Sequence, residues 1–277
     1  MTGTGAAASL PVCGPMLSGD VPGRIAATPV GGGRNGPGAG GEETVTVTYS
    51  RAGRAAEQAE PEEERERRAA WEALVATARR TVTDGLVVGT SGNVSVRVGD
   101  TVLVTPSGVP YDRLAPEDVT GVDLDGRQVL GTLVPTSELP MHLAVYRATD
   151  ARAVVHTHAV HATAVSLLVP ELPPVHYMTA ALGGPVRVAP YAAYGTEELA
   201  RHVLDALADR TGCLLQNHGT LTYGACLDQA YDRTAQLEWM CRVWLTASSV
   251  PGRSPSLLTG EQLAEVAERL GGYGQRP

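Results

Sequence analysis

Past residue 60 the apolar positions of this chain follow two periods, one helical and one extended. Trp71, Leu74, Val75, Ala78 and Val82 recur at helical spacing behind Pro61 and a charged first turn, and Asp84-Gly85 supplies the stop. Short β-branched runs follow at 94–98, 101–105 and 119–122, where the period shortens to that of strands. A helix is predicted over 137–148 with Thr136 as its N-cap. Then come an apolar strand through His156 and His158, a helix over 159–168, a strand at 186–189 and a helix over 196–208. Strands flank His218, a long helix is predicted over 227–248, and a last helix over 260–270 leads to the tail. Strands and helices mix without strict alternation. The expected fold is therefore α/β, a single-domain layered sandwich with a largely antiparallel central sheet flanked by helices.

Residues 1–60 break this pattern. They are rich in Gly, Ala and Pro, and only 44–49 alternates as a strand would. Such a segment buries too little apolar surface to offset its ordering entropy, so it is expected to be a disordered extension, with the folded domain at 61–277. The formal charge of −8 and the lack of a basic cluster speak against nucleic acid as the main partner. No apolar run reaches the ~20 residues of a membrane span, and no secretory signal is visible at the N-terminus. Cys13, Cys213, Cys226 and Cys241 show no CxxC spacing and are expected to be reduced, in a cytoplasmic protein. The sequence contains no lysine: all 22 basic residues are arginine. That excludes a Schiff-base lysine, a pyridoxal phosphate anchor and a Walker-type P-loop.

The candidate chemistry begins at Val-Val-His-Thr-His, 154–158. Residues two apart in a strand share a face, about 7 Å apart, so His156 and His158 can close on one ion. His218, in the tight Asn-His-Gly turn, is a third imidazole, and three neutral imidazoles with an open position suit a catalytic zinc. On residue pattern alone, histidines satisfied within a core remain the other reading. Three turns offer backbone N–H groups and hydroxyls: Gly89-Thr90-Ser91-Gly92-Asn93, Thr105-Pro106-Ser107-Gly108 and Pro135-Thr136-Ser137-Glu138. They are either anion cradles or ordinary turns. Glu138 is the candidate general base, against the alternative of a surface glutamate favoured by a helix dipole.

Taken in order, TSGNVSVR, VTPSGVPYDRL, PTSE, VVHTHAVHATAVSLL, PPVHYMTAALGG, APYAAYGT, LLQNHG and GGYG resemble the class II aldolase/adducin family, from about Arg67 to Tyr273. The resemblance implies zinc-dependent, reversible cleavage of a ketose 1-phosphate to dihydroxyacetone phosphate and an aldehyde. It implies one Zn²⁺ per subunit on His156, His158 and His218. Glu138 matches the acid/base glutamate, which also binds the metal when substrate is absent. Gly92, Asn93, Ser107, Gly108, Thr136 and Ser137 match phosphate-binding positions. Tyr177 matches a catalytic tyrosine that reaches a neighbouring subunit's site, and Tyr273 a tail residue that covers the pocket. Tyr194 stands where a Phe is familiar, which leaves the far end of the substrate open. The implied partners are a phosphorylated sugar and further copies of the chain, in a homotetramer with its active site at the subunit interface. Three other readings compete. A sugar-phosphate 4-epimerase of the same family usually has Asp at the position of Glu138, a non-catalytic adducin-like scaffold loses the metal histidines, and a cupin-type dioxygenase needs a glutamate soon after the histidine pair.

Overall fold

The computed structural model of the chain describes residues 61–270. The extension expected over 1–60 and the tail residue Tyr273 lie outside the described residues. Nine strands form one sheet in the order β4-β3-β2-β1-β5-β9-β8-β7-β6, and every neighbouring pair is antiparallel except β7 with β8. The strands are β1 (Asn93–Val98), β2 (Thr101–Val104), β3 (Gly121–Asp123), β4 (Gln128–Leu130), β5 (Ala153–Thr157), β6 (Glu171–Leu172), β7 (Val186–Ala189), β8 (Gly212–Leu215) and β9 (Gly219–Gly224). The helices are α1 (Glu62–Thr83), α2 (Leu139–Ala148), α3 (Val160–Ser166), α4 (Glu197–Ala206), α5 (Leu227–Ser248) and α6 (Gly260–Leu270). The expected α/β sandwich with a mostly antiparallel sheet is thus what forms. Among the described residues no helix is long and apolar enough to cross a membrane.

The period of two sorts each strand's side chains between two layers. Val94, Val96 and Val98 of β1 and Ala153 and Val155 of β5 pack with Trp71, Leu74 and Ala78 of α1. Val154 of β5, Leu221 of β9 and Cys213 and Leu215 of β8 pack on the other side, with Met141 and Val145 of α2 and Leu199 and Val203 of α4. His156 shares the face of Val154, so the strand itself aims the imidazole at the layer that holds α2. Its cross-strand partner is Asn93 on one side and Leu221 on the other.

Several elements differ from expectation. α2 begins at Leu139, not 137, and its N-cap is Glu138, not Thr136. Pro140 is the reason: it is tolerated only in the first helical turn, which fixes the start just before it. Thr136 Oγ1 instead accepts from the Glu138 N–H at 3.3 Å. Thr136 and Ser137 therefore precede the helix and do not open it. The strand expected at 119–122 pairs only over Gly121–Asp123. β4, β6 and three 3₁₀ turns, at Tyr111–Arg113, Pro116–Asp118 and Tyr177–Leu182, were not anticipated. Cys213 and Cys241 are free and buried. Of the other two cysteines, Cys13 lies outside the described residues.

Candidate active site

Four ligand-bearing side chains converge where β5, the β8–β9 turn and the start of α2 meet. Glu138, His156, His158 and His218 each offer an atom, and these atoms all lie within 4.8 Å of one another. His156 is fully buried inside β5, His158 sits one residue past its end, and His218 lies in the β8–β9 turn. That turn closes through Asn217, which adopts the left-handed conformation at φ 58°, as asparagine tolerates. Gly219 follows because nothing larger fits: a Cβ there would lie 2.0 Å from the Thr157 carbonyl oxygen. Gly92 approaches from the opposite side, at φ 81° with a Cβ position 2.8 Å from His156 O. Two glycines thus let neighbouring turns close on the segment that carries both histidines.

α3 ties two of the ligands together. Thr163 Oγ1 lies 2.8 Å from Ala159 O, next to His158, and 3.3 Å from His218 O. Ser166 Oγ accepts from Asn217 N at 3.2 Å. The Glu238 carboxylate of α5 accepts from the backbone N–H groups of His161 (3.0 Å) and Ala162 (2.8 Å) and meets the His161 ring at 2.6 Å. This fixes where α3 starts, and so where the chain leaves His158.

The cluster has the donor chemistry of a metal site. His156 Nδ1 is 2.7 Å from the Thr220 carbonyl, which only accepts, so Nδ1 carries the hydrogen. In the neutral ring Nε2 then presents a lone pair. That Nε2 lies 3.0 Å from both Glu138 Oε2 and His158 Nε2. Imidazole nitrogens on one tetrahedral zinc are about 3.3 Å apart, from bond lengths of about 2.0–2.1 Å. Glu138 Oε1 is buried without a hydrogen-bond partner, although His218 Nε2 stands 3.2 Å away, because that approach is not aligned for one. Lone pairs crowded this closely repel unless a cation sits among them, and the set fits a divalent ion. Burial pushes the His158 ring, with help from the neighbouring His156 and His218, down to about 4, which keeps it neutral and able to ligate. Burial alone would raise the Glu138 carboxyl; in the metal-free cluster protonated His156 and His218 outweigh it and hold the group well below the usual carboxylate range, a role that a bound cation would take over.

The cluster opens into a cleft of about 400 Å³. Gly92, Asn93, Ser107, Gly108, Thr136, Ser137, Glu138, Tyr194, His158 and His218 all line it. Thr90, Ser91, Pro106, Tyr191, Ala192 and Asn217 complete the wall. The three turns that looked separate in sequence therefore meet on one wall. The Tyr111 hydroxyl braces the first of them, donating to Gly92 O at 2.6 Å. Tyr177 is half exposed in its 3₁₀ turn and is not part of the cleft wall. Tyr191 and Asn217 line the cleft beyond the residues singled out in sequence; Tyr191 belongs to the run APYAAYGT, three residues before Tyr194, and that run was its signal.

Residues 72–245 match the family model described as the Class II Aldolase and Adducin N-terminal domain. The chain belongs to the class II aldolase/adducin family. An L-fuculose phosphate aldolase of Escherichia coli is 43% identical over 194 residues, which span 69% of this chain and 89% of that protein. A 5-deoxy-D-ribulose 1-phosphate aldolase of Bacillus thuringiensis serovar kurstaki is 36% identical over 208 residues, 74% of this chain and 97% of that one. A solved L-fuculose 1-phosphate aldolase superposes with a TM-score of 0.70 at 33% identity, over 73% of this chain and 96% of its own.

Proposed function

We propose that this chain is a metal-dependent aldolase that reversibly cleaves a ketose 1-phosphate to dihydroxyacetone phosphate and an aldehyde. One observation carries the reading: the Glu138–His156–His158–His218 cluster shares a cleft with the three glycine- and hydroxyl-bearing turns. The relatives named for L-fuculose and 5-deoxy-D-ribulose phosphates support a ketose 1-phosphate as the substrate class. His156, His158 and His218, with Glu138 when substrate is absent, would hold one zinc. A bound zinc would supply a Lewis acid for charge that develops on the substrate oxygens when the carbon–carbon bond breaks.

The chain's own groups do the rest. The Gly92-Asn93, Ser107-Gly108 and Thr136-Ser137 turns grip the phosphate and fix the sugar's orientation, so that binding energy away from the reacting carbon is used at it. Glu138 is buried and ionised, and it accepts and returns a proton at that carbon. Tyr194 lies on the cleft wall, where the aldehyde end would sit. Tyr177, off that wall and half exposed, is read as acting in a neighbouring subunit's cleft, and Tyr273 as a cover from the tail, in a homotetramer. The four convergent donors favour this reading over a non-catalytic scaffold.

The test is a product assay on a panel of ketose 1-phosphates, including fuculose, ribulose, rhamnulose and 5-deoxypentulose 1-phosphates, with coupled detection of dihydroxyacetone phosphate. At least one should be cleaved, by protein that carries about one zinc per chain and sediments as a tetramer, and chelation should abolish the cleavage. Full cleavage by metal-free protein, or none across the panel, would overturn the proposal.

A further inference from the structure

A line of buried polar groups runs behind the candidate acid/base carboxylate. Asn93 Nδ2 donates to Glu138 Oε2 at 3.0 Å. Asn93 Oδ1 is 2.5 Å from His142 Nε2. His142 Nδ1 is 2.7 Å from Ser95 Oγ, and Ser95 Oγ is 2.8 Å from the Tyr146 hydroxyl. All five residues are buried, and Ser95 and His142 are wholly so. The line alternates between helix and strand. Glu138, the N-cap of α2, and His142 and Tyr146 within it stand four apart along one side of a helix that advances about 6 Å per four residues. Asn93 and Ser95 stand two apart on one face of β1, which advances about 6.6 Å per two. The two repeats match, so each β1 side chain falls between two of α2.

The hydrogens along this line run in one direction only. The Asn93 amide turns its NH₂ toward Glu138, where Nδ2 donates to Oε2. Its carbonyl oxygen then faces His142 Nε2, which must carry the ring hydrogen. His142 Nδ1 is left as an acceptor, so Ser95 donates to it and accepts in turn from Tyr146. Burial takes the His142 ring down to about 3, which keeps it neutral, and the Asn93 carbonyl opposite Nε2 selects the tautomer. At the far end Glu138 Oε1 has no hydrogen-bond partner.

We propose that His142 is a positioning residue for Glu138: it fixes the Asn93 amide so that Oε2 is held and Oε1 alone is left to take the substrate proton. This rests on the reading of Glu138 as the acid/base group. It also divides Asn93, whose side chain serves Glu138 while its backbone belongs to the phosphate-binding turn. A flipped amide would set a carbonyl oxygen against the carboxylate, and the carboxylate would swing away from the reacting carbon with the phosphate grip untouched.

Two measurements test this. Neutron diffraction from deuterium-exchanged crystals of the zinc-loaded, full-length protein should show deuterium on His142 Nε2, none on Nδ1, and the Asn93 ND₂ group facing Glu138. Deuterium on Nδ1, or on both nitrogens, would overturn it whether or not the protein proves to be an aldolase. In kinetics, His142→Leu should lower kcat by about 10- to 100-fold while KM changes by less than about twofold. His142→Gln keeps a donor near the place of Nε2 and should recover most of kcat. Equal losses in the two variants, or a rise in KM that matches the fall in kcat, would reduce His142 to a packing residue. Should the Leu variant fail to fold, the neutron map and the Gln variant still decide. Should the wild type cleave no ketose 1-phosphate, the functional reading falls alone, and the amide orientation is still read from the map.

Discussion

Glu138 shows what a single residue's surroundings add to its identity. In sequence it is a glutamate at the start of a helix, where a surface position favoured by the dipole is the ordinary outcome. In the fold it is buried, because α2 starts one residue later and β1 presents Asn93 to it. The histidine pair was legible, since the extended run through 154–158 puts His156 and His158 on one side, although β5 itself ends at Thr157. His142 was not, because its role needs β1 packed against α2, and nothing local announces that. Replacing Glu138 by Gln separates proton transfer from binding. The carboxamide cannot accept the proton, so turnover should fall by about 10²- to 10⁴-fold while the melting temperature and the affinity for dihydroxyacetone phosphate hold. Turnover near that of the wild type would demote Glu138 to the cap of α2.

At the scale of elements, the long periodic segments were the readable ones. α5 and α6 span the residues expected from their apolar spacing, and β7 does likewise. The two- and three-residue strands β4 and β6 escaped because a stretch that short carries no period; only the neighbour it pairs with makes it a strand. The turn between β8 and β9 is where an element acts on the chemistry. A methyl group at Gly219 would meet the Thr157 carbonyl and stand 3.2 Å from His158 Cα. Gly219→Ala should therefore move His158 relative to His218, lower the melting temperature by the equivalent of about 1–3 kcal/mol and reduce the zinc retained after dialysis. Gly260→Ala, with open space around its Cβ position at the start of α6, is the control and should leave the zinc unchanged and the melting temperature no lower. Unchanged zinc and stability in Gly219→Ala would mean that the turn and β5 shift apart at no cost.

For the whole molecule, the class of fold followed from the mix of elements, but the order of strands did not. β1 pairs with β5, and β5 with β9, across long stretches of sequence. Those pairings bring the three turns to one cleft with Glu138, His158 and His218, and set the buried His156 beside them. Motif order pointed to that meeting through family resemblance; the physical cause is non-local pairing that no window of sequence displays.

The wall of that cleft has one more property. Among its described residues there is no arginine, and the sequence has no lysine to offer. A substrate phosphate would be met by neutral dipoles on a chain of formal charge −8, so its diffusional encounter gains no long-range pull from side-chain cations. Raising salt from about 0.01 M to about 0.15 M shortens the screening length from about 30 Å to about 8 Å. In an electrostatically steered enzyme kcat/KM falls steeply over that range. Here it should stay level or rise, as the repulsion between two negatively charged bodies is screened away. A steep fall would reveal a cation that steers the phosphate, either the metal of the proposed site or an arginine brought from a neighbouring subunit.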